Sequence, residues 1–165
     1  MGRTNTTIES PIGALTLVAE DGVLCGLYFP GHWHMPAPDV FGARSERGFE
    51  PAEEQLAQYL AGERTGFELE TAVAGGDEFQ RRVWGLIEAI PYGETTTYGE
   101  MAAELGDATL ARRVGGAVGR NPLSVVVPCH RVVGKDGKLT GYAGGLARKR
   151  FLLELEAPED GSRLF

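Results

Sequence analysis

Apolar and polar positions alternate early in the chain and give way to helical spacing later. "GALTLVAE" (residues 13–20) alternates, as a strand with one buried face does. "VLCGLYF" (23–29) is apolar again, and the Asp21-Gly22 pair between the two has the chemistry of a two-residue hairpin turn. "HWHMPAPDVFGARSERGFE" (32–50) is rich in Gly, Pro and charge and predicts a loop. "PAEEQLAQYLAGE" (51–63) opens on proline and meets Gly62, which predicts a short helix. "TGFELETAVAGGD" (65–77) predicts one more strand before the Gly75-Gly76 break.

Beyond residue 76 the period changes. "DEFQRRVWGLIEAI" (77–90) repeats Phe79, Val83, Trp84, Leu86, Ile87 and Ile90 as a helical stripe, ended by Pro91-Tyr92-Gly93. "TYGEMAAEL" (97–105) sets Thr97 and Glu100 at capping-box spacing and stops at Gly106-Asp107. "ATLARRVGGAVGR" (108–120) predicts a second helix, broken by Asn121-Pro122. Two short helices joined by a glycine-containing turn form a helix-turn-helix pattern, and the second carries Arg112, Arg113 and Arg120 as a groove-facing helix would. Gly115 and Gly116 each cost that helix about 1 kcal/mol relative to Ala, which makes sense where another backbone must approach closely. Val125–Val127 predict a buried strand ending at Pro128, and "LARKRFLLELE" (146–156) a C-terminal helix. The fold class expected is α/β in the α+β sense. Residues 1–76 would form a small antiparallel sheet lobe with one helix, and residues 77–165 a mainly helical, winged helix-turn-helix-like domain.

Composition adds a class and a compartment. With 42% apolar and 24% charged residues the chain is ordinary for a globular protein. No apolar run approaches the roughly 18 residues that would suggest a bilayer span. "MGRTNTTIES" has no apolar core of a secretory signal. Cys25 and Cys129 lie far apart and match no zinc or disulfide framework, so a reducing, cytoplasmic setting is expected.

Charge changes the picture more. The net charge of −7 lies in residues 1–76, which hold 4 basic and 11 acidic side chains, whereas residues 77–165 hold 12 of each. Within the window 109–150 nine basic residues (Arg112, Arg113, Arg120, Arg131, Lys135, Lys138, Arg148, Lys149, Arg150) face Asp136 alone, a local +8. Such a window in an acidic chain fits either a polyanion-facing surface or a solvated face with its counter-charges elsewhere.

Candidate chemistry centres on "VVVPCHRVVG" (125–134), which places Cys129 beside His130. A buried cysteine is ordinarily an inert small hydrophobe and a buried histidine a satisfied hydrogen-bonder. The setting argues otherwise here, because the pair lies between the basic helix-turn-helix and the Lys135–Lys138 turn, with the polar Asn121 just upstream. Neighbours in an extended chain point to opposite sides, so His130 would need a bridging water or a kink after Pro128 to take the thiol proton. A third group must then set its tautomer, and Glu154 or Glu156 at the end of the last helix can supply it.

"NPLSVVVPCHRVVGKDGKLTGYAGGLARKRFLLELE" (121–156) closely resembles the active-site region of the O6-alkylguanine-DNA alkyltransferases, the methylated-DNA–protein-cysteine methyltransferases. The likeness begins near "FQRRVW" and takes in "IPYGETTTYGEMA" and "ARRVGGAVGRNP"; the first half matches only in general plan. The resemblance implies that Cys129 accepts the alkyl group from O6 of guanine in one displacement, never to be regenerated. His130 would be its water-relayed base, and Glu156 the carboxylate orienting His130. It also implies that Asn121 bonds near the thiolate and that Tyr98 donates to the departing guanine. The target nucleotide must leave the stack. Arg112 would fill the gap, while Ala111 and Gly115 let the helix approach the minor groove; Lys135 would touch phosphate, with Arg120 a further DNA contact. Ser124, Val132, Tyr142 and Ala143 would line the substrate pocket. Ser124 and Ala143 stand where some members have proline and serine. Methyl is then expected to be accepted well, and benzyl-type pseudosubstrates slowly, because one pocket wall is trimmed.

The partner implied is double-stranded DNA containing O6-alkylguanine, with O4-alkylthymine a further candidate lesion. No cofactor, metal or membrane is called for, and the protein is expected to act as a monomer. A zinc site at Cys25, His32 and His34 lacks a clear fourth ligand. Three other classes compete: a non-catalytic binder of alkylated DNA, which would lack the acceptor cysteine; a Cys–His hydrolase, which would turn over; and a helix-turn-helix regulator, which would prefer one sequence of undamaged DNA.

Overall fold

The computed structural model describes residues 2–73 and 75–157. Strands β1 (Arg3–Ile8), β2 (Leu15–Glu20) and β3 (Val23–Tyr28) form an antiparallel meander, and the two-residue β4 (Ala43–Arg44) joins β1 in parallel, in the order β3-β2-β1-β4. The hairpin falls where the sequence placed it. Asp21 (φ 50°) and Gly22 (φ 85°) both have positive φ, which matches the right-handed twist of the flanking strands. β1 itself was not expected. Its "RTNTTI" is nearly all polar, and its side chains are mostly half-buried, so no apolar alternation marks it.

The strand expected within residues 65–77 is reduced to one parallel bridge, Leu24 with Thr71. It is made by Leu24 N–H to Glu70 O (3.3 Å) and Ala72 N–H to Leu24 O (3.0 Å). Further along the same edge, Leu27 N–H donates to Pro122 O at 2.9 Å. The open edge of β3 is thereby covered twice, and the second cover is the segment that leads to Cys129.

Helix α1 (Glu50–Leu60) carries Pro51 in its first turn and buries Ala52, Leu56, Tyr59 and Leu60. Leu56 and Tyr59 are wholly inaccessible, each worth roughly 1.5–3 kcal/mol of transfer free energy if treated like other large apolar side chains. Helix α2 (Glu78–Glu88) starts with a complete capping box between Asp77 and Gln80 and buries Val83, Trp84 and Ile87. Helix α3 (Tyr98–Glu104) is capped by Thr97, whose hydroxyl accepts from Glu100 N–H. The Glu100 carboxylate turns instead to the Thr96 hydroxyl, so the expected box is half made.

After a 3-10 turn at Ala108–Leu110, helix α4 (Ala111–Gly119) completes the helix-turn-helix. Trp84 Nε1 donates to Ala117 O at 2.9 Å and ties α4 to α2. Short parallel strands β5 (Thr96–Thr97) and β6 (Val132–Val133) pair beside it, and helix α5 (Leu146–Glu156) closes the chain described. One continuous core runs through both halves, from Leu17, Leu27 and Phe29 of the sheet side to Met101, Val114, Leu123 and Leu152.

Residues 125–128 correct the sequence reading. No strand forms there. Ser124 and Val127 bridge across a tight turn in which Val125 adopts φ 72°, and Cys129–Arg131 form a single 3-10 turn. Positive φ is costly for a β-branched residue. What holds it is Asn121, whose Nδ2 donates to Val127 O (2.9 Å) while its Oδ1 accepts from Leu123 N–H (3.0 Å). The β-branched run encodes burial, since Val125 and Val127 are each about 1% exposed, and the asparagine encodes the turn.

Candidate active site

Cys129 sits on the 3-10 turn at the wall of a cavity of about 170 Å³, beneath α4. Tyr98 and Gly115 line it from the helix-turn-helix, and Thr140, Gly141, Tyr142 and Ala143 from the loop before α5. That loop is pressed against the sheet side. Gly144 packs so closely that any Cβ there would run into the ring of Phe29, and Phe29 in turn contacts Tyr142 at 5.7 Å between ring centroids.

Burial raises the Cys129 thiol pKa above its usual value, which would leave it inert. Opposing the burial are, first, the Asn121 amide, then the Lys149 cation and the hydroxyls of Ser124 and Tyr142. Both hydroxyls are fully buried, and the Cys129 sulfur is the group they act on. Lys149 is nearly inaccessible. Its ammonium donates to Val132 O (2.7 Å) and Gly141 O (2.8 Å), and burial brings its pKa down to about 8. A cation is thus built in beside the sulfur.

On the 3-10 turn His130 faces Glu156 of α5. His130 Nε2 and Glu156 Oε2 are 2.7 Å apart, and both side chains are buried. Arg131 grips the same carboxylate from the other side, with Nε to Oε1 at 2.7 Å and Nη2 to Oε2 at 3.1 Å, and donates from Nη1 to Ile90 O. Burial pushes the Glu156 carboxyl up, while the Gly93 backbone amide draws it down. A two-pronged guanidinium favours the carboxylate strongly, and we assign Glu156 as ionised. Burial holds His130 well below 6.5, with the Arg131 and Lys149 charges reinforcing it, so the ring is neutral at neutral pH. A carboxylate only accepts, so the proton of the neutral ring belongs on Nε2. Nδ1 is then a bare lone pair, buried without a protein partner among the described residues. That is the state of a general base.

The other predicted residues separate clearly. Tyr98, Gly115, Tyr142 and Ala143 line the cavity with Cys129. Ser124 and Val132 do not line it: each is wholly buried behind it, Ser124 beneath the thiol and Val132 in β6, where its carbonyl holds Lys149. Arg112 is exposed on α4, and Ala111 is half-buried at its start. Arg113 places its guanidinium 4.0 Å from the centroid of the Phe79 ring. Arg120 lines a separate cleft of about 280 Å³ shared with His32 and Trp33, and Lys135 is exposed in the turn after β6.

The basic window also needs correction. Arg131 and Lys149 point into the core, and Arg148 is spent on Ile12 O and Gly144 O, which leaves six of the nine exposed. Sequence reasoning missed Lys149, Arg131 and Trp33 as parts of the site. For Lys149 a signal existed: it lies seven residues before Glu156, on the buried stripe of α5 that includes Leu152 and Leu153. Cys25 is buried in β3. Among the described residues no three His, Cys, Asp or Glu side chains converge as a metal site would require.

Fold and site together define a helix-turn-helix protein with a thiol at a small cavity, an oriented imidazole next to it in the chain and a buried cation acting on the sulfur. Residues 4–73 match the model of the 6-O-methylguanine DNA methyltransferase ribonuclease-like domain, and residues 78–158 that of the DNA binding domain of the same enzymes. A methylated-DNA–protein-cysteine methyltransferase of Mycolicibacterium paratuberculosis is 51% identical over 150 residues, covering 91% of this chain and 90% of that one. One from Methanosarcina acetivorans is 46% identical, covering 90% and 94%. The crystal structure of the Mycobacterium tuberculosis O6-methylguanine methyltransferase superposes with a TM-score of 0.84 at 46% identity, covering 96% of each chain. A structure of the protein from that organism in complex with DNA gives the same score at 45% identity, covering 97% of each. This chain belongs to the 6-O-methylguanine DNA methyltransferase family.

Proposed function

We infer that this chain repairs DNA by moving an alkyl group, chiefly methyl, from O6 of guanine onto Cys129 in a single turnover. The observation that carries the reading is the seating of Cys129 at the cavity beneath α4, with the His130–Glu156–Arg131 array behind it. The thiol proton passes through a bridging water to Nδ1 of His130, and Glu156 stabilises the imidazolium. Sulfur attacks the alkyl carbon, the S–C bond forms and the C–O6 bond breaks. The guanine departs with the bonding pair and is protonated as it leaves, with the Tyr98 hydroxyl as the donor. Asn121 and Lys149 hold the thiolate charge during the attack. The product is a thioether, which water does not readily cleave, so one molecule repairs one lesion.

Access to the lesion requires the nucleotide to be turned out of the duplex. Arg112, exposed on α4, is proposed to occupy the gap, since its planar guanidinium can stack and bond to the orphaned base. Gly116, where a Cβ would meet open space, is proposed to face the groove in place of Gly115, where a Cβ would lie 3.7 Å from the Tyr98 ring. Lys135, exposed in the turn after β6, is proposed as a phosphate contact; Arg120 lines the separate cleft. No helix among the described residues is long and apolar enough to cross a membrane. Two free cysteines suit a reducing compartment, and work on DNA in the cytoplasm is proposed. The test is transfer from a duplex oligonucleotide carrying one O6-methylguanine. One equivalent per protein is expected, and none for Cys129→Ser. Repeated turnover, or transfer by the serine variant, would contradict the reading.

A further inference from the structure

Trp33 belongs to the loop after β3, on the sheet side of the molecule, yet it lines the cavity of Cys129. It also lines the neighbouring cleft of about 280 Å³, so one indole stands between two spaces. Its backbone N–H donates to Ala143 O at 3.0 Å, which fastens it to the pocket loop. The ring lies close over Gly141, where a Cβ would come within 3.2 Å of it, and reaches Gly119 at the end of α4, where the distance would be 3.8 Å. The turn before it is stiff. Phe29 N–H donates to His32 Nδ1 and His32 N–H to Phe29 O, both at 3.2 Å, and the two rings stack. At 51% exposure the indole is too wet to be a core residue, and its contacts are too many for a free surface aromatic.

We propose that Trp33 sets the size of adduct the site accepts, acting as a partition that closes the alkyl pocket off from the cleft behind it. The proposal rests on Cys129 being the alkyl acceptor. A cavity of about 170 Å³ is below the roughly 300 Å³ at which pockets for drug-sized ligands begin. Joined to the cleft it would fall within that range, and the added space offers the aromatic walls of Tyr28, Phe41 and Trp84 to an aryl substituent, beside the polar side chains of Arg3, His34, Gln80 and Arg120. This gives a different cause for slow reaction of benzyl adducts from the trimmed wall at Ala143. The pocket is closed by an added indole from the other half of the chain.

The experiment compares Trp33→Ala and Trp33→Phe with the native chain on one duplex sequence carrying either O6-methylguanine or O6-benzylguanine. The benzyl-to-methyl ratio of transfer rates should rise by about tenfold or more in Trp33→Ala. Trp33→Phe should give a smaller rise, and it stands in if the alanine variant does not fold. Gly141→Ala, which crowds the indole, should change the ratio in the native background and lose that effect once Trp33 is alanine. An unchanged ratio with methyl transfer intact overturns the partition alone. Equal loss of both rates together with weaker DNA binding also overturns it, by making Trp33 a DNA contact. No methyl transfer by the native chain overturns the repair reading, and the partition falls with it.

Discussion

Two regions of this molecule hold nearly the same three side chains. The sheet side buries Cys25 and His32 with Tyr28 between them in sequence, and the centre beneath α4 has Cys129, His130 and Tyr98. In each, burial raises the cysteine and tyrosine and lowers the histidine. The partners differ. His32 Nδ1 accepts from the Phe29 backbone, its ring packs against Phe29 and Tyr28, and no carboxylate is paired with it among the described residues. Against the burial of Cys25 stands only the Arg3 charge, and Glu20 works the other way. His130 has an ionic partner on Nε2 and an open lone pair on Nδ1, and Cys129 has an amide, a cation and two hydroxyls around it. Burial makes a cysteine and a histidine quiet; it is the arrangement of charge and unused lone pairs around them that makes a reactive centre.

The largest effect should come from Glu156→Gln. It leaves Arg131 buried without its anion, which costs about 3–5 kcal/mol, a fall in Tm of roughly 10 °C. Alkyl transfer should slow by about 10²-fold or more, and the remaining rate should climb with pH as the thiolate forms unaided. A stable variant of full activity would erase the distinction between the two regions. Next is Tyr98→Phe, expected to slow transfer on the order of 10²-fold at unchanged Tm and DNA affinity. Its counterpart on the sheet side, Tyr28→Phe, should leave methyl transfer as it was. Equal effects at the two tyrosines would mean that neither donates to the leaving base.

The smallest effect concerns His32. Its folded pKa of about 4 lies below its ordinary 6.5, so the unfolded chain binds the proton first. Stability from this group is present above pH 6.5 and is lost as pH falls towards 4, at about 1.4 kcal/mol per pH unit. His32→Asn should remove that slope from denaturation midpoints measured between pH 6 and 4.5. It leaves the similar slope from His130, which is depressed in the same direction. A variant whose acid sensitivity matches the native chain would show that His32 is not buried in solution.

Legibility in the sequence tracks how local each cause is. The hairpin at Asp21-Gly22 and helices α1 to α5 rest on spacing and turn signals within one segment, with side-chain caps at α2 and α3, and all form. A dipeptide in an apolar run and the resemblance point to Cys129, His130 and Glu156, and the fold brings the last two within 2.7 Å of each other. What failed was the conformation between. Three valines read as a strand, whereas Asn121, reaching across to Val127, bends them into a turn. That turn replaces the opposite-facing geometry of an extended Cys-His pair and points His130 at α5. Nothing periodic marks Trp33, which sits in a Gly- and Pro-rich loop and meets the pocket only through the tertiary fold. β1 escaped for the related reason that its partners, rather than its own side chains, make it a strand.

The difference between the two cysteines is tested most directly by peptide-level mass spectrometry after reaction with one equivalent of O6-methylguanine duplex. A gain of one methylene is expected on the peptide holding Cys129, complete at one equivalent, with the Cys25 peptide unmodified. A methylene on Cys25, or restored guanine with both cysteines unchanged, would contradict it.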